Sequence, residues 1–262
     1  MMSFKLVGTG PRKVMLFPGL LGTRDAFDDL LRWADLEAFQ YVAVEYRGYG
    51  QARKERGLMT LREVVIDATR LADYLGWSRF AVAGHALGAL AAQMLALALP
   101  QRVDAIVSIA GPSERGGSSD PQRLRMLEGA AASRQWREEL VTAGTARRYP
   151  ATFARAVVDS SWDSIDGSAF ASYARDASRT DISQQVEGSD KPILVLIGQH
   201  DGSNTEEAAR ATTLKWYRNA TLQVLAGAGH YPVQETPAAT SAALETFLLG
   251  SADDGKPATS AA

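Results

Sequence analysis

An α/β protein built on a mostly parallel sheet is the fold class this sequence predicts, and three features predict it. Short, continuous apolar runs recur along the chain and end in loops containing glycine or proline, as buried parallel strands do. Longer stretches with apolar residues at helical spacing lie between them, so strand and helix alternate. The 262 residues, 46% of them hydrophobic, suffice for one large domain with room for an insertion.

The first run, Val14-Met15-Leu16-Phe17, ends in Pro18-Gly19 and leads through Leu20-Leu21-Gly22-Thr23 to a helical stretch at about 26–36. Tyr41-Val42-Ala43-Val44 is the next strand, and it runs into Glu45-Tyr46-Arg47-Gly48-Tyr49-Gly50, where Arg47 is expected to brace neighbouring loops. Thr60 suits the N-cap of the following helix, with Glu63 as its capping-box partner. That helix places Val64, Ala68, Leu71 and Leu75 on one face and stops at Gly76. Phe80-Ala81-Val82-Ala83 is then a strand, and an Ala/Leu-rich helix follows over about 86–99, with a further strand at 103–110 closed by Gly111-Pro112.

From about 113 to 190 the pattern changes. Arg, Ala and Ser dominate, Gly116-Gly117-Ser118-Ser119 interrupts the run, and Trp136, Tyr149, Phe153, Trp162, Phe170 and Tyr173 collect there. The segment reads as a helical insertion between two parts of one core, 1–112 and 191–250. The strand at 192–197 resumes the core and ends at Gly198-Gln199-His200-Asp201-Gly202. A helix at 206–216, a strand at 222–225, the loop Gly227-Ala228-Gly229-His230-Tyr231-Pro232 and a helix at 237–249 complete it. The small, polar tail 251–262 is expected to be disordered.

Composition removes several classes of function. A formal charge of −2 gives no basic footprint for nucleic acid or an anionic membrane. With no cysteine, disulfides, thiolate catalysis and Cys-ligated metals are excluded, and three histidines on separate loops are too few for a His-only metal site. No apolar run is long enough to span a bilayer and no signal-peptide core opens the chain, which fits a cytoplasmic location. The expected partner is a small molecule, with no cofactor; self-association is left open.

Gly84-His85-Ala86-Leu87-Gly88 occupies the strand-to-helix position of a G-x-S-x-G nucleophile elbow, with alanine where the nucleophile belongs. In parallel sheets ligands sit at the carboxyl ends of strands, and Ala86, Asp201 and His230 all fall in such loops. A histidine can take and return a proton near neutral pH, and a carboxylate behind it fixes its tautomer. The backbone N–H groups of Leu20 and Leu87 are placed to hold an oxyanion. Trp136, Trp162 and Tyr231 are candidates for lining the substrate pocket. His85 is expected to support the turn, and His200 to face solvent.

Five motifs in order carry a resemblance: Phe17-Pro18-Gly19-Leu20, Tyr46-Arg47-Gly48-Tyr49-Gly50, Gly84-His85-Ala86-Leu87-Gly88, Gly198-Gln199-His200-Asp201 and Gly229-His230-Tyr231-Pro232. Together they resemble the α/β-hydrolase fold of cofactor-independent serine hydrolases, over nearly the whole chain. The resemblance implies an eight-stranded sheet with a helical cap between strands six and seven. It also implies a Ser-His-Asp-type site acting on a small ester, lactone or amide. Ala86 is the main departure, and Phe17, where many relatives carry histidine, a lesser one.

Three readings of Ala86 follow. In the first, alanine replaces the serine of an ordinary serine hydrolase and leaves an inactive or substrate-trapping form. In the second, the enzyme never used serine. The stretch Gly84-His85-Ala86-Leu87-Gly88-Ala89-Leu90 also resembles the elbow of aminoacrylate hydrolases of pyrimidine breakdown, which carry alanine there, and cofactor-free dioxygenases of this fold likewise use a His-Asp base. In the third, the scaffold binds a small molecule without turnover.

Overall fold

Alternation along single strands explains the layering. In a computed structural model, which describes residues 2–116 and 121–253, β2 (Arg12–Phe17) sends Met15 and Phe17 to one side of the sheet and Val14 and Leu16 to the other, all four fully buried. β3 (Phe39–Glu45), β4 (Phe80–His85), β5 (Val103–Ile109) and β6 (Ile193–Gly198) are covered on both faces in the same way. One face packs on helices formed by residues 61–74 and 87–98, the other on residues 28–31 and the C-terminal helix. Period-two side chains on a doubly covered sheet produce this three-layer arrangement.

Among the described residues the sheet has seven strands in the order β1-β3-β2-β4-β5-β6-β7, with β1 at Ser3–Val7 and β7 at Ala220–Leu225. This corrects the expected eight. Only β1 runs antiparallel, pairing with β3 at the edge. Because β3 lies on one side of β2 and β4 on the other, the strand order reverses at β2. The carboxyl ends of β2 and β4, in register at Phe17 and Gly84, open a crevice there.

The expected helix at 26–36 shrinks to a 3-10 turn at Arg24–Phe27 and one α-helical turn, α1 (Asp28–Leu31). Asp35 draws the N–H groups of Glu37 and Ala38 to its own carboxylate, which competes with helix continuation. α2 (Leu61–Tyr74) begins at Thr60, whose hydroxyl accepts from the Glu63 N–H at 3.2 Å. The reciprocal half of the capping box is displaced, since the Glu63 carboxylate takes the Met59 N–H instead. α3 (Leu87–Ala98) is buried nearly all round.

Between β5 and β6 the described residues form α4 (Pro121–Ala130), α5 (Arg134–Gly144), α6 (Ala151–Asp159), α7 (Gly167–Arg179) and α8 (Ser183–Val186), with no strand beyond an isolated bridge from Ile165 to Tyr49. The helix expected at 206–216 is broken at Thr212 into α9 (Glu206–Ala211) and α10 (Thr213–Trp216). α11 (Pro232–Glu235) and α12 (Pro237–Asp253) close the fold, so 251–253 is helical while 254–262 lies outside the described residues. Gly117, Ser118 and Ser119 of the glycine-serine run lie outside them too. No helix among the described residues is long and apolar enough to cross a membrane.

Candidate active site

The 84–88 turn is built by two steric exclusions. A Cβ on Gly84 would stand 2.1 Å from the Gly88 carbonyl oxygen, and one on Gly88 would stand 2.2 Å from the Phe17 carbonyl oxygen. Only glycine permits this approach of strand, turn and helix. The residue between them pays in backbone strain: Ala86 sits at φ 50°, ψ −120°, a conformation L-residues rarely adopt. Its N–H is tied to the Ile109 carbonyl at 2.9 Å. Leu87, the first residue of α3, presents an N–H with no acceptor inside the helix.

The loop after β2 is held from beneath. The buried phenol of Tyr46 donates to the Pro18 carbonyl at 2.7 Å, and that of Tyr49 donates to the Leu20 carbonyl at 3.0 Å. These two bonds fix the Pro18–Gly19 and Leu20–Leu21 peptides, which flank the Gly19–Leu20 peptide that carries the Leu20 N–H. Tyr173 of α7 packs on both tyrosines, with ring centroids 5.4 and 5.6 Å away. Arg47 braces its loop as expected, through a two-pronged pair with Asp67 (2.7 and 2.9 Å) and a bond to the Arg56 carbonyl.

Asp201 and His230 meet. His230 Nδ1 donates to Asp201 Oδ2 at 2.8 Å, and the Asp201 side chain is fully buried. Burial alone would raise the Asp201 pKa. The adjacent His230 charge and hydrogen bond, the Ser203 N–H and the Asn204 amide outweigh it and bring the carboxyl down to about 2. Asn204 was not singled out in the sequence. Its Nδ2 bridges Asp201 Oδ2 (3.1 Å) and the Ala110 carbonyl (3.0 Å), tying the loop after β6 to the end of β5.

Four hydrogen bonds to residues 229–231 hold the His230 loop. The His230 N–H donates to the Gly144 carbonyl at the end of α5, and the carboxylate of Glu235 accepts the N–H groups of Gly229 and Tyr231 on either side. His85 Nε2 donates to the His230 carbonyl at 2.7 Å. His85 is thus a brace, as expected. Burial, and after it the neighbouring His230, depress its pKa to about 4, so it is neutral at pH 7.

All these loops open on one cavity of about 870 Å³, lined by Leu20, Ala86, Leu87, His230 and Tyr231 among others, with α4–α7 supplying much of the far wall. Two expected lining residues are absent from it. Trp136 is 44% exposed and packs against Gly129, while Trp162 stacks on the guanidinium of Arg137, which is 1% exposed and held at 4.5 Å from both Trp162 and Phe170. Their aromatic surface builds the helical segment rather than the pocket. Among the described residues no group of three or more His, Cys, Asp or Glu side chains could hold a metal ion.

A doubly covered parallel sheet, reversed at β2 and carrying a strained strand-to-helix turn opposite a His-Asp pair, belongs to the α/β enzymes whose chemistry sits in strand-end loops. The chain is a member of the alpha/beta hydrolase fold family, whose profile matches residues 13–237. Over 78 residues it is 31% identical to a protein of Azorhizobium caulinodans named carbamate hydrolase RutD, an assignment its name marks as provisional. That match spans 30% of this chain and 29% of the relative. Its fold is shared with a thermophilic esterase from Thermogutta terrifontis solved with malate bound (TM-score 0.81, 22% identity, 95% of this chain and 93% of that one). An enol-lactonase from Burkholderia xenovorans LB400 is similar (TM-score 0.80, 20% identity, 95% and 96% covered).

Proposed function

We propose that this protein hydrolyses a small ester, lactone, amide or carbamate without a covalent acyl-enzyme, using His230 and Asp201 to activate water. The observation that carries this reading is a braced His-Asp pair facing a cavity whose elbow position offers a methyl group. His230 donates through Nδ1 to Asp201, which leaves Nε2 as the proton acceptor. Water gives a proton to Nε2 while its oxygen bonds to the substrate carbonyl carbon. The carbonyl electrons move onto oxygen, opposite the N–H groups of Leu20 and Leu87. Collapse of that intermediate expels the alkoxide or amine, which takes the proton back from His230. The partial likeness to a protein named as a carbamate hydrolase supports a hydrolytic reaction.

A second reading has its own support. The backbone at residue 86 keeps φ 50°, ψ −120°, the strained tip that a nucleophilic serine occupies in a G-x-S-x-G turn. On that reading Ala86 disarms a serine hydrolase and leaves a substrate trap. The two are separated by assaying p-nitrophenyl esters, lactones and carbamates with the chain as given and with Ala86→Ser. Turnover by the alanine form, lost in His230→Ala, supports water activation. Labelling by a fluorophosphonate and ester hydrolysis by the serine form alone overturn it in favour of the disarmed hydrolase.

A further inference from the structure

We propose that the substrate of this site carries a carboxylate remote from the scissile bond, and that Arg115 selects it. The proposal rests on the assignment of the cavity as the substrate site, not on how His230 acts within it.

Charge is scarce around this cavity. Among the described residues that line the cavity, Arg115 is the only Lys, Arg, Asp or Glu. Asp201 is not part of the lining; its carboxylate is fully buried behind His230 and hydrogen-bonded to it. His85 is held neutral by burial at pH 7. The rest of the lining is apolar or uncharged, with residues such as Leu20, Leu87, Leu140 and Val157 beside Ser113, Ser178 and Asn204. Arg115 is an exposed residue at the edge of a largely apolar cavity, and no other charged side chain of the described lining competes with it there.

Arg115 is also held in place. Its guanidinium lies 5.2 Å from the ring centroid of Trp216, a buried residue of α10, a cation–π contact that restrains the side chain without consuming its hydrogen-bond donors. Its backbone N–H is taken by the Ser113 hydroxyl at 3.2 Å, which fixes the loop after β5. No ion pair or side-chain hydrogen bond to another described residue occupies the guanidinium. The described carboxylates of this region form no ion pair with it. Glu114 faces the other way into the core, accepting from Thr213, and burial raises its pKa toward the neutral form. Asp181 is exposed and feels Arg115 electrostatically; its Oδ1 accepts from the N–H and hydroxyl of Ser183, and it forms no ion pair with the guanidinium.

A planar guanidinium with free donors matches a carboxylate in a two-pronged hydrogen bond. One arginine balances one negative charge, which favours a monocarboxylate over a phosphate. Arg115 lies in the loop after β5, while the Leu20 and Leu87 N–H groups follow β2 and β4, so the group it recognises is distinct from the reacting carbonyl.

The test uses the full chain with Ala86 and two ligands that cannot be hydrolysed, 4-oxopentanoate and 4-oxopentanamide. Each offers a ketone to the Leu20 and Leu87 N–H groups, and they differ in the charge at the other end. Calorimetric titration is expected to show the acid binding about tenfold tighter than the amide near pH 7.5, with the preference weakening as salt is raised. Arg115→Gln is expected to erase the preference while leaving the amide unaffected. Equal affinities, a preference that survives Arg115→Gln, or failure of the acid to bind at millimolar concentration overturns the proposal. Neither ligand undergoes hydrolysis, so this result stands apart from the turnover assays that decide the role of His230.

Discussion

Two sets of residues face the same cavity and are held there by different physics. The loops at the carboxyl ends of β2, β4, β6 and β7 are positioned by backbone sterics and buried hydrogen bonds. Examples are the Gly84 and Gly88 contacts, the Tyr46 and Tyr49 bonds to Pro18 and Leu20, and the Asp201–His230–Asn204 cluster. The helices α4–α7 are held by side-chain packing, with Arg137 between Trp162 and Phe170 as their most buried charge. A backbone-built site tolerates little change at each position, whereas a wall of packed side chains can exchange residues while keeping its shape. The chemistry and the shape of the far wall are therefore separable in this molecule. Variants on the two sides should behave differently.

The largest contrast is expected between His230→Ala and Trp162→Ala. Whichever form turns over substrate, the chain as given or Ala86→Ser, should lose roughly 10²- to 10⁴-fold in kcat/KM when His230 is removed. Trp162→Ala exposes Arg137 and should instead lower the unfolding midpoint, by roughly 2–4 kcal/mol of stability, with a far smaller change in rate. Steady-state kinetics and urea melts on both proteins measure the separation. Equal losses of rate would dissolve it.

A pH titration of stability reaches the backbone-built side through His85. His85 in the folded protein has its pKa lowered to about 4, against an unfolded value near 6.5. Between those values the unfolded chain binds the proton and the folded chain does not. Stability should thus be complete above about pH 6.5 and fall progressively as pH drops toward 4, by up to roughly 3 kcal/mol. In His85→Gln that window should flatten. An unchanged slope would mean that His85 is not held neutral against the His230 carbonyl.

Tyr46→Phe addresses the loop after β2. Losing a buried bond to the Pro18 carbonyl should cost about 1–2 kcal/mol of stability, because the acceptor is left unpaired. If that bond also aims the Leu20 N–H, kcat should fall several-fold with KM little changed. A change in KM alone would make Tyr46 a packing residue.

The same division governs what could be read before the structure. The strand-end loops were legible because sterics write themselves into residue types: glycine at 84 and 88, and aspartate and histidine at the ends of two apolar runs. Arg47 and His85 fell into the bracing positions expected of them. The edge strand β1 was not legible, since its residues are only half-buried and show no continuous apolar run. Asn204 looks like turn chemistry beside Asp201 and reveals its bridge to Ala110 only in three dimensions. The aromatic helical segment told least. Its residue types promised a core but not which side chains turn toward the cavity, so Trp136 and Trp162 were expected in a lining that neither joins. Arg115 was indistinguishable from any other arginine until the remaining charges proved to lie elsewhere.

Ala86→Gly gives the smallest expected effect and bears most directly on the alanine. A non-glycine residue at φ 50°, ψ −120° carries roughly 1–3 kcal/mol of strain, and glycine relieves it at an entropic cost of about 0.5–1 kcal/mol. The net expectation is a gain of about 1 kcal/mol in urea unfolding. Glycine would satisfy the backbone better than alanine, yet the turn holds alanine, whose methyl lines the cavity. If the methyl shapes the space beside the attacking water, Ala86→Gly should gain stability and lose turnover in the same protein. A gain in stability with turnover unchanged would show that the elbow needs only its backbone, and that residue 86 contributes nothing to the reaction beyond the position of the Leu87 N–H.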